Sequence, residues 1–203
     1  MHPEFHTPSW DAPLDVNAEL DAVPQGTTIK GMFLLPMVLE AQRQGIRLES
    51  ARDRYLPFTD YPLVEHGRLL VESARAFYPQ LTIRRGLRKL GHAGLRAFAE
   101  STIGKVVWAA VDGVDAAIDA TAKTYAIAIP AGRLTIAERS PGLVRVRLTG
   151  GVHYFLDSNH VGNFEGVLRA CHAQGTVAVR LEPPAAGELL LTWTGPSIRP
   201  TLQ

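Results

Sequence analysis

The chain contains 203 residues, of which 46% are hydrophobic and 20% are charged, enough for one domain with a sizeable core. Its 21 Lys and Arg residues face 20 Asp and Glu residues, so the net charge of +1 gives no general attraction to nucleic acid or an anionic membrane. The single cysteine, Cys171, cannot form an intrachain disulfide, and the longest apolar run is too short to span a bilayer. We therefore expect a soluble, cytoplasmic protein that binds neither nucleic acid nor membranes.

The first 26 residues differ from the rest of the chain. They contain four prolines and show no sustained hydrophobic periodicity, which indicates an extended N-terminal arm, residues 1–26. A single α+β domain is expected over residues 27–195, followed by a loose tail over 196–203. Within the domain, a helical part should cover 27–131 and a β-rich part 132–195.

Short elements precede the central helices. Thr28–Phe33 is expected to be extended, and Pro36 suits the first turn of a helix that stops at Gly45. A short charged helix is expected over Glu49–Tyr55.

The longest helical pattern covers residues 60–111. Two breaks are expected in it, one at Tyr78-Pro79 and one at Gly91. Past Ser101 the sequence is apolar nearly all round, which is typical of a helix buried on several sides. We therefore expect this last piece to be the centre on which the rest of the chain packs.

A short alanine-rich helix is expected over Val114–Lys123, and at Gly132 the period changes from that of helices to that of strands. The fold class predicted is α+β, with the helical region packed against a four-stranded antiparallel sheet in ββαββ order. A helix over about His160–His172 should connect the two hairpins, and Val146, Val179 and Leu191 should be buried. The predicted strands are Leu134–Glu138, Val144–Leu148, Val177–Leu181 and Glu188–Trp193.

Short landmarks spread from Gly31 to Trp193 resemble a family of unknown function, the DUF2378 type, which occurs as many paralogues in myxobacteria. The family is distantly similar to the haem–nitric-oxide-binding and 4-vinyl-reductase-type regulatory domains, whose helices are followed by a sheet. That resemblance implies a small-molecule pocket between helices and sheet and a tendency to form homodimers, and it supplies no catalytic residues. The landmarks are Gly31, Phe33, Phe58–Pro62, Tyr78-Pro79, Leu90-Gly91, Ser101, Gly104 and Gly162–Gly166 with Glu165.

Neither haem nor a bound metal is expected. The chain lacks the Tyr-x-Ser-x-Arg motif with which the haem-binding relatives hold the propionates, and His66 and His92 are better explained as hydrogen-bonding or solvent-facing residues. A metal site built from His153, His160, Cys171 and His172 is disfavoured because these residues do not form the close pairs that zinc sites use.

Catalytic motifs are also missing. The sequence contains no Gly-x-Ser-x-Gly and no His-Glu-x-x-His, and no residue pairs a nucleophile with a base, so we predict that the protein is not an enzyme. One helix face is strongly basic, through Arg84, Arg85, Arg88 and Lys89. A solvated face explains it most simply, and an acidic partner or an anionic ligand is the functional alternative.

The predicted function is a regulatory, sensor-like module that binds a small apolar or amphipathic molecule between helices and sheet and signals to a protein partner. Gly104 lies one turn before Trp108 and leaves space beside the indole, so the ligand-binding residues proposed are Trp108, Gly104, Phe98 and Tyr61. The alternatives are a protein-interaction module without a ligand, whose pocket is filled by its own side chains, and a haem or metal sensor.

Overall fold

The structure, a computed structural model, describes residues 5–150, 154–182 and 186–195, with Thr102 and Ile103 given as backbone only. In this part of the chain the helices are α1 Val16–Asp21, α2 Leu35–Arg43, α3 Leu63–Phe77, α4 Ile83–Glu100, α5 Thr102–Ala109, α6 Gly113–Ala128 and α7 Val161–Ala170. The strands are β1 Thr28–Lys30, β2 Asp60–Pro62, β3 Arg133–Ser140, β4 Leu143–Thr149, β5 Gln174–Glu182 and β6 Ala186–Thr194. A 3-10 turn spans Gly31–Phe33, and a single π-helical turn, called the π-turn below, spans Leu156–His160.

The predicted α+β class and four-stranded antiparallel sheet are confirmed. The spatial order of the sheet is β3-β4-β6-β5, and the π-turn and α7 lie between the two hairpins in the chain. Val146, Val179 and Leu191 are fully buried, because the alternation places them on the face that packs against α7 and the helical part. Each strand is longer than predicted by one to three residues at each end, since the hydrogen-bond ladder continues past the apolar positions.

The break at Tyr78-Pro79 is also confirmed, but the break at Gly91 is wrong. α4 runs without interruption from Ile83 to Glu100. Gly91 is buried there, and a Cβ at this position would overlap the backbone of Asn159 and Asn163. Glycine is needed at Gly91 because two backbones approach closely, and the helix tolerates it.

The apolar segment after Ser101 is not the centre of the fold, contrary to expectation. α5 buries Gly104 and Trp108, while Val106 is 72% exposed. The helix therefore has one buried face, because it lies at the side of the molecule next to the ends of α4 and α6. The central element is α4, which packs against α3, α5, α7 and the π-turn.

Three other segments differ from the predictions. Residues 49–55 are not helical, because the Glu72 carboxylate accepts hydrogen bonds from the backbone N–H groups of Glu49 and Ser50 and so holds them in a loop. α6 extends to Ala128, five residues beyond its predicted end, where Tyr125 and the buried Ala128 pack on the body. The arm contains the short helix α1, capped by the Asp15 side chain, where an extended chain was expected.

Among the described residues, no helix is both long and apolar enough to cross a membrane.

Candidate functional site

The π-turn buries a run of four polar side chains, which makes it the most unusual segment of the described chain. Asp157, Ser158, Asn159 and His160 are each at most 8% exposed. Phe155, the residue before the turn, has a φ of 53°, a conformation that is uncommon for a bulky residue. Single π-helical turns and strained residues of this kind occur frequently at functional sites.

Hydrogen bonds to α4 and to the turn's own backbone hold it in place. Ser158 Oγ donates to the carbonyl oxygen of Phe155 at 3.2 Å, and Asn159 Nδ2 donates to that of Leu87 at 3.2 Å. Gly162 permits the contact with α4, because a Cβ there would overlap the Arg88 carbonyl. The α4 glycine at position 91 serves the same contact from the other side.

Two histidines and two tyrosines form a cluster beside the π-turn, called the His/Tyr cluster below, in which Tyr154 and His160 are buried and His66 and Tyr125 half-buried. His66 of α3 lies 2.6 Å from the hydroxyl of Tyr154 through Nδ1, and His160 Nε2 lies 3.3 Å from the hydroxyl of Tyr125 of α6. The rings of Tyr154 and His160 meet edge to face, with centroids 6.1 Å apart. The cluster thus joins α3, α6 and the segment that leaves the sheet.

Burial keeps three members of the His/Tyr cluster, His66, Tyr125 and Tyr154, uncharged at neutral pH. It lowers the pKa of His66 to about 3, with a smaller contribution from the neighbouring His160. Burial also raises the pKa of Tyr154 and of Tyr125 well above the ordinary range of a phenol. At neutral pH His66 is therefore a neutral imidazole beside protonated phenols, which suits hydrogen bonding and not proton transfer.

Charged groups surround the turn on its other sides. Arg84 of α4 forms an ion pair with Asp157, and the Glu19 carboxylate of α1 accepts a hydrogen bond from the Phe155 N–H at 2.7 Å. Burial raises the pKa of Glu19, although the hydrogen bond opposes the shift. Asp157 Oδ1 has no hydrogen-bond partner within the described residues.

Arg88 and His92 of α4 both contact Glu165 of α7. The distances are 2.6 Å from Arg88 Nε and 3.0 Å from His92 Nε2 to Glu165 Oε2. Burial alone would raise the pKa of Glu165, but the hydrogen bonds from His92 and Arg88 outweigh it and lower the pKa. His92 is thus a partner of a carboxylate in the α4–α7 contact.

A cleft of about 570 Å³ lies next to this region, between α1, the Glu49–Ser50 loop and α3. Leu14, Val16, Leu20 and Val71 give it an apolar floor. Leu20 separates the cleft from the His/Tyr cluster, because Leu20 and the Tyr154 ring both lie against Gly67 of α3. A second cleft of about 270 Å³ lies where α3 turns into α4, at Ala74, Arg75, Pro79, Leu81 and Ile83.

The predicted ligand residues Trp108, Gly104, Phe98 and Tyr61 line neither cleft. Gly104 and Phe98 meet at the α4–α5 junction, where Phe98 stacks on Phe33 with centroids 6.2 Å apart. Trp108 is 6% exposed, and its indole N–H has no acceptor within the described residues. Tyr61 lies in β2 against Tyr55, and its hydroxyl accepts a hydrogen bond from the Leu56 N–H at 2.9 Å.

Other residues of the same chain contact all four basic side chains of the basic face. Arg84, Arg85 and Arg88 contact the N-terminal arm, and the Lys89 ammonium lies 5.4 Å from the centroid of the Tyr78 ring. Periodicity located this face correctly, but it gave no sign of what covers it.

The residues weighed for a metal site are not brought together as ligands. Burial raises the pKa of the Cys171 thiol to about 11, and His172 is exposed. His160 belongs to the His/Tyr cluster, and His153 lies outside the described residues. Across residues 5–150, 154–182 and 186–195, no group of three or more His, Cys, Asp or Glu side chains is arranged to hold a metal ion.

The His/Tyr cluster and the π-turn were missed by sequence reasoning. The run Asp157–His160 resembles an ordinary polar loop, and no periodicity distinguishes it from one. The one signal available was the aromatic and apolar triplet Tyr154-Phe155-Leu156 directly before it, which marks a segment about to be buried.

Comparisons with known proteins agree on the fold. A family model described as "Protein of unknown function (DUF2378)" matches residues 22–194, and no curated protein matches the sequence. Similar solved structures include a mutant H-NOX protein from K. algicida in the unliganded Fe(II) state, with 12% identity and a TM-score of 0.58 over 82% of this chain and 97% of that one. An H-NOX protein from S. oneidensis in the Fe(II)NO state has 9% identity and a TM-score of 0.60 over 82% and 100%.

An oxygen-binding H-NOX domain related to soluble guanylate cyclases has 12% identity and a TM-score of 0.58 over 90% of this chain and 95% of that one. Identities this low establish a shared fold and nothing about ligands. The predicted similarity to the haem–nitric-oxide-binding domains is therefore confirmed at the level of the fold.

Proposed function

The chain belongs to the DUF2378 family of proteins of unknown function and has the H-NOX fold, and on this basis we propose that it is a non-enzymatic regulatory module that binds a small amphipathic molecule. The observation that carries the proposal is the cleft between α1 and α3, which one side chain, Leu20, separates from the π-turn and the His/Tyr cluster. The ligand would occupy this cleft and change the contacts of the turn.

The cleft has the chemistry of an amphipathic ligand site. Its volume lies within the usual range for small-molecule sites. Arg68 and Arg75, two turns apart on α3, stand at its rim above the apolar floor, and neither has a salt-bridge partner among the described residues. Asp15, Glu49 and Glu72 line the same cleft, and the Glu72 carboxylate is engaged by the backbone N–H groups of Glu49 and Ser50. The ligand proposed has an acyl chain on the apolar floor and an anionic head group at the two arginines.

α1 is suited to transmit occupancy. It has six residues, none of them buried, so few contacts hold it in place. Its Glu19 carboxylate accepts a hydrogen bond from the N–H of Phe155, the strained residue directly before the π-turn. A ligand that displaces α1 would break this hydrogen bond and release the turn.

The ionisation states support a non-enzymatic role. A general base or nucleophile works best when its pKa is near the operating pH. Burial instead lowers the pKa of His66 to about 3 and raises the pKa of the Cys171 thiol to about 11, so neither group titrates near neutral pH. Homodimer formation and a cytoplasmic location stay predictions.

Haem does not fit the described residues, although the names of similar structures refer to haem distortion and redox potential. Neither cleft is lined by His, Cys, Tyr or Met, the side chains that ligate haem iron. His66, His160 and His92 each engage a protein partner through a ring nitrogen. We expect the protein, expressed with ample haem, to show no Soret band, whereas a stoichiometric band lost in His66→Ala or His92→Ala would contradict this.

Calorimetric titration of decanoate into the full chain tests the proposal. We expect binding that falls about tenfold or more in Arg68→Glu/Arg75→Glu, because two ionic contacts become repulsive. Arg96→Glu is the matched control, since Arg96 is an exposed α4 residue that does not line the cleft. Absence of decanoate binding, or an equal loss in the control, would refute the amphipathic ligand and favour a protein-interaction module without one.

A further inference from the structure

Residues 5–15 of the N-terminal arm lie along a continuous surface of the body. At one end, His6 pairs with Val179 on the free edge of β5, through N–H to carbonyl bonds of 3.0 and 2.9 Å. From there the arm crosses to the N-terminal half of α4. The family match covers residues 22–194, so this part of the arm lies outside the matched region.

Several contacts on this surface recognise backbone. Thr82 Oγ donates to the carbonyl oxygen of Trp10 at 2.7 Å. Arg84 donates to the carbonyl oxygens of Ala12 at 3.2 Å and Pro13 at 3.3 Å. Such bonds, like the pairing at the β5 edge, fit an extended segment of almost any sequence, as in peptide recognition by strand addition.

Other contacts select side chains. The Arg88 guanidinium lies 4.2 Å from the centroid of the Trp10 ring, and Arg85 pairs with the Asp11 carboxylate through two hydrogen bonds of 2.8 Å. The surface therefore recognises an aromatic residue followed directly by a carboxylate.

Some contacts of the arm are exposed to solvent, while Pro8 is buried and Trp10 packs against the core. The Arg85 and Asp11 side chains are 43% and 69% exposed, and ion pairs at such exposure contribute little to stability. His6 and Ser9 are exposed as well. A competing segment with the same features would replace the arm first at these exposed contacts.

We propose that this surface is a docking site for an extended peptide of a partner protein. The peptide would carry an aromatic residue followed directly by Asp or Glu. The surface is formed by the β5 edge and by Thr82, Arg84, Arg85 and Arg88 of the α4 region. In the isolated chain the arm occupies the site as an internal mimic of that peptide. The site adjoins the cleft between α1 and α3, because Leu14 and Asp15 at the end of the arm line that cleft. The contacts argued here run from His6 to Pro13 and do not depend on the ligand proposed for the cleft.

Fluorescence anisotropy with a labelled peptide of residues 5–15 tests the site in the full chain. The release variant, Trp10→Ala/Asp11→Ala, weakens the arm in cis through two side chains at the surface. We expect it to bind the peptide about tenfold more tightly than the wild type, because the arm no longer competes. Equal binding by the two proteins, or none by the release variant, would overturn the proposal.

A charge exchange makes the test specific. Arg85→Asp, added to the release variant, should lower peptide affinity about fivefold or more, and a peptide with Asp11→Arg should restore it. Arg96→Asp in the same background is the control, because Arg96 lies on α4 outside the arm contacts and pairs with Glu100. If Arg85→Asp and Arg96→Asp have the same effect, or the exchanged peptide restores nothing, the peptide does not occupy this site and the proposal fails.

Discussion

The outer face of the sheet and the π-turn both bury polar side chains, and they stabilise them in different ways. On the sheet, Glu188 is 1% exposed and lies directly opposite Arg147 on β4 and Arg180 on β5. Arg180 Nη2 is 2.7 Å from its carboxylate, Arg147 Nη1 is 3.1 Å away, and Arg145 adds a third contact at 3.4 Å. In this network each buried charge is matched by charges on neighbouring strands.

The π-turn instead combines one largely buried ion pair, Arg84 with Asp157, with the His/Tyr cluster, a strained residue at Phe155 and a carboxylate supplied by the loosely held α1. A charge network on regular strands resists rearrangement, because removing one member leaves others uncompensated. Under the proposed function, the turn is the part expected to respond when the cleft is occupied, while the sheet network is expected to stay unchanged.

Removing the centre of the sheet network should have the largest effect. Glu188→Ala leaves three arginines without their shared buried carboxylate, and we expect a loss of about 3–5 kcal/mol in the free energy of unfolding, measured with urea. Glu182→Ala is the control, because Glu182 pairs with Arg147 and Arg180 but is 29% exposed, and it should cost about 1 kcal/mol or less. Similar losses in the two variants would show that burial of Glu188 does not matter.

Acid should weaken the His/Tyr cluster. The pKa of His66 is about 3 in the fold against 6.5 for the ordinary side chain, so the unfolded chain binds a proton that the folded chain refuses as pH falls below 6.5. His66 therefore does not destabilise the fold above pH 6.5, and its destabilising effect grows as the pH falls from 6.5 towards 3. For one proton, this lowers the free energy of unfolding by about 2–3 kcal/mol at pH 4.5.

Urea unfolding at a series of pH values measures this contribution. His66→Asn keeps a polar atom near Tyr154 and cannot titrate, so its stability should fall less steeply than that of the wild type between pH 6.5 and 4.5. Parallel profiles for the two proteins would mean that His66 is not the group that resists protonation.

The contact between α4 and the π-turn should depend on Gly91. Gly91→Ala places a methyl group against the backbone of Asn159 and Asn163 and should cost about 1–3 kcal/mol. Gly94→Ala, one turn later on the same helix, meets only Asn163 Oδ1 at 3.9 Å and should stabilise by up to about 1 kcal/mol through helix propensity. Stabilisation by both substitutions would contradict the close approach of the turn to α4.

The sequence predicted the elements that repeat a simple pattern. The strands were located because Val144, Val146 and Leu148 alternate with polar residues, and α3 because its apolar residues follow helical spacing. The Gly91 prediction failed because a glycine needed for close packing has the same sequence signature as one that ends a helix. The prediction that the α5 segment is the centre of the fold was wrong for another reason. An apolar composition does not show how much neighbouring surface is available to cover a helix.

The candidate site was beyond sequence reasoning because its partners are distant in the chain. His66 and Tyr154 are separated by 88 residues, and Glu19 bonds a backbone group 136 residues away. A polar residue such as His66 at the edge of a helix is ordinarily solvated, so only the three-dimensional contact reveals its role. The basic face of α4 was found by its periodicity, while its contacts with Trp10 and Asp11 required the fold.

Coupling between the cleft and the π-turn is the central claim, and histidine-selective NMR of the imidazole nitrogens during a decanoate titration tests it most directly. We expect the resonances of His66 and His160 to shift in proportion to cleft occupancy, while exposed His172 stays unchanged. The shifts should vanish together with binding in Arg68→Glu/Arg75→Glu. Saturation of the cleft with no change at His66 and His160 would contradict the account, because the ligand would then bind without reaching the turn.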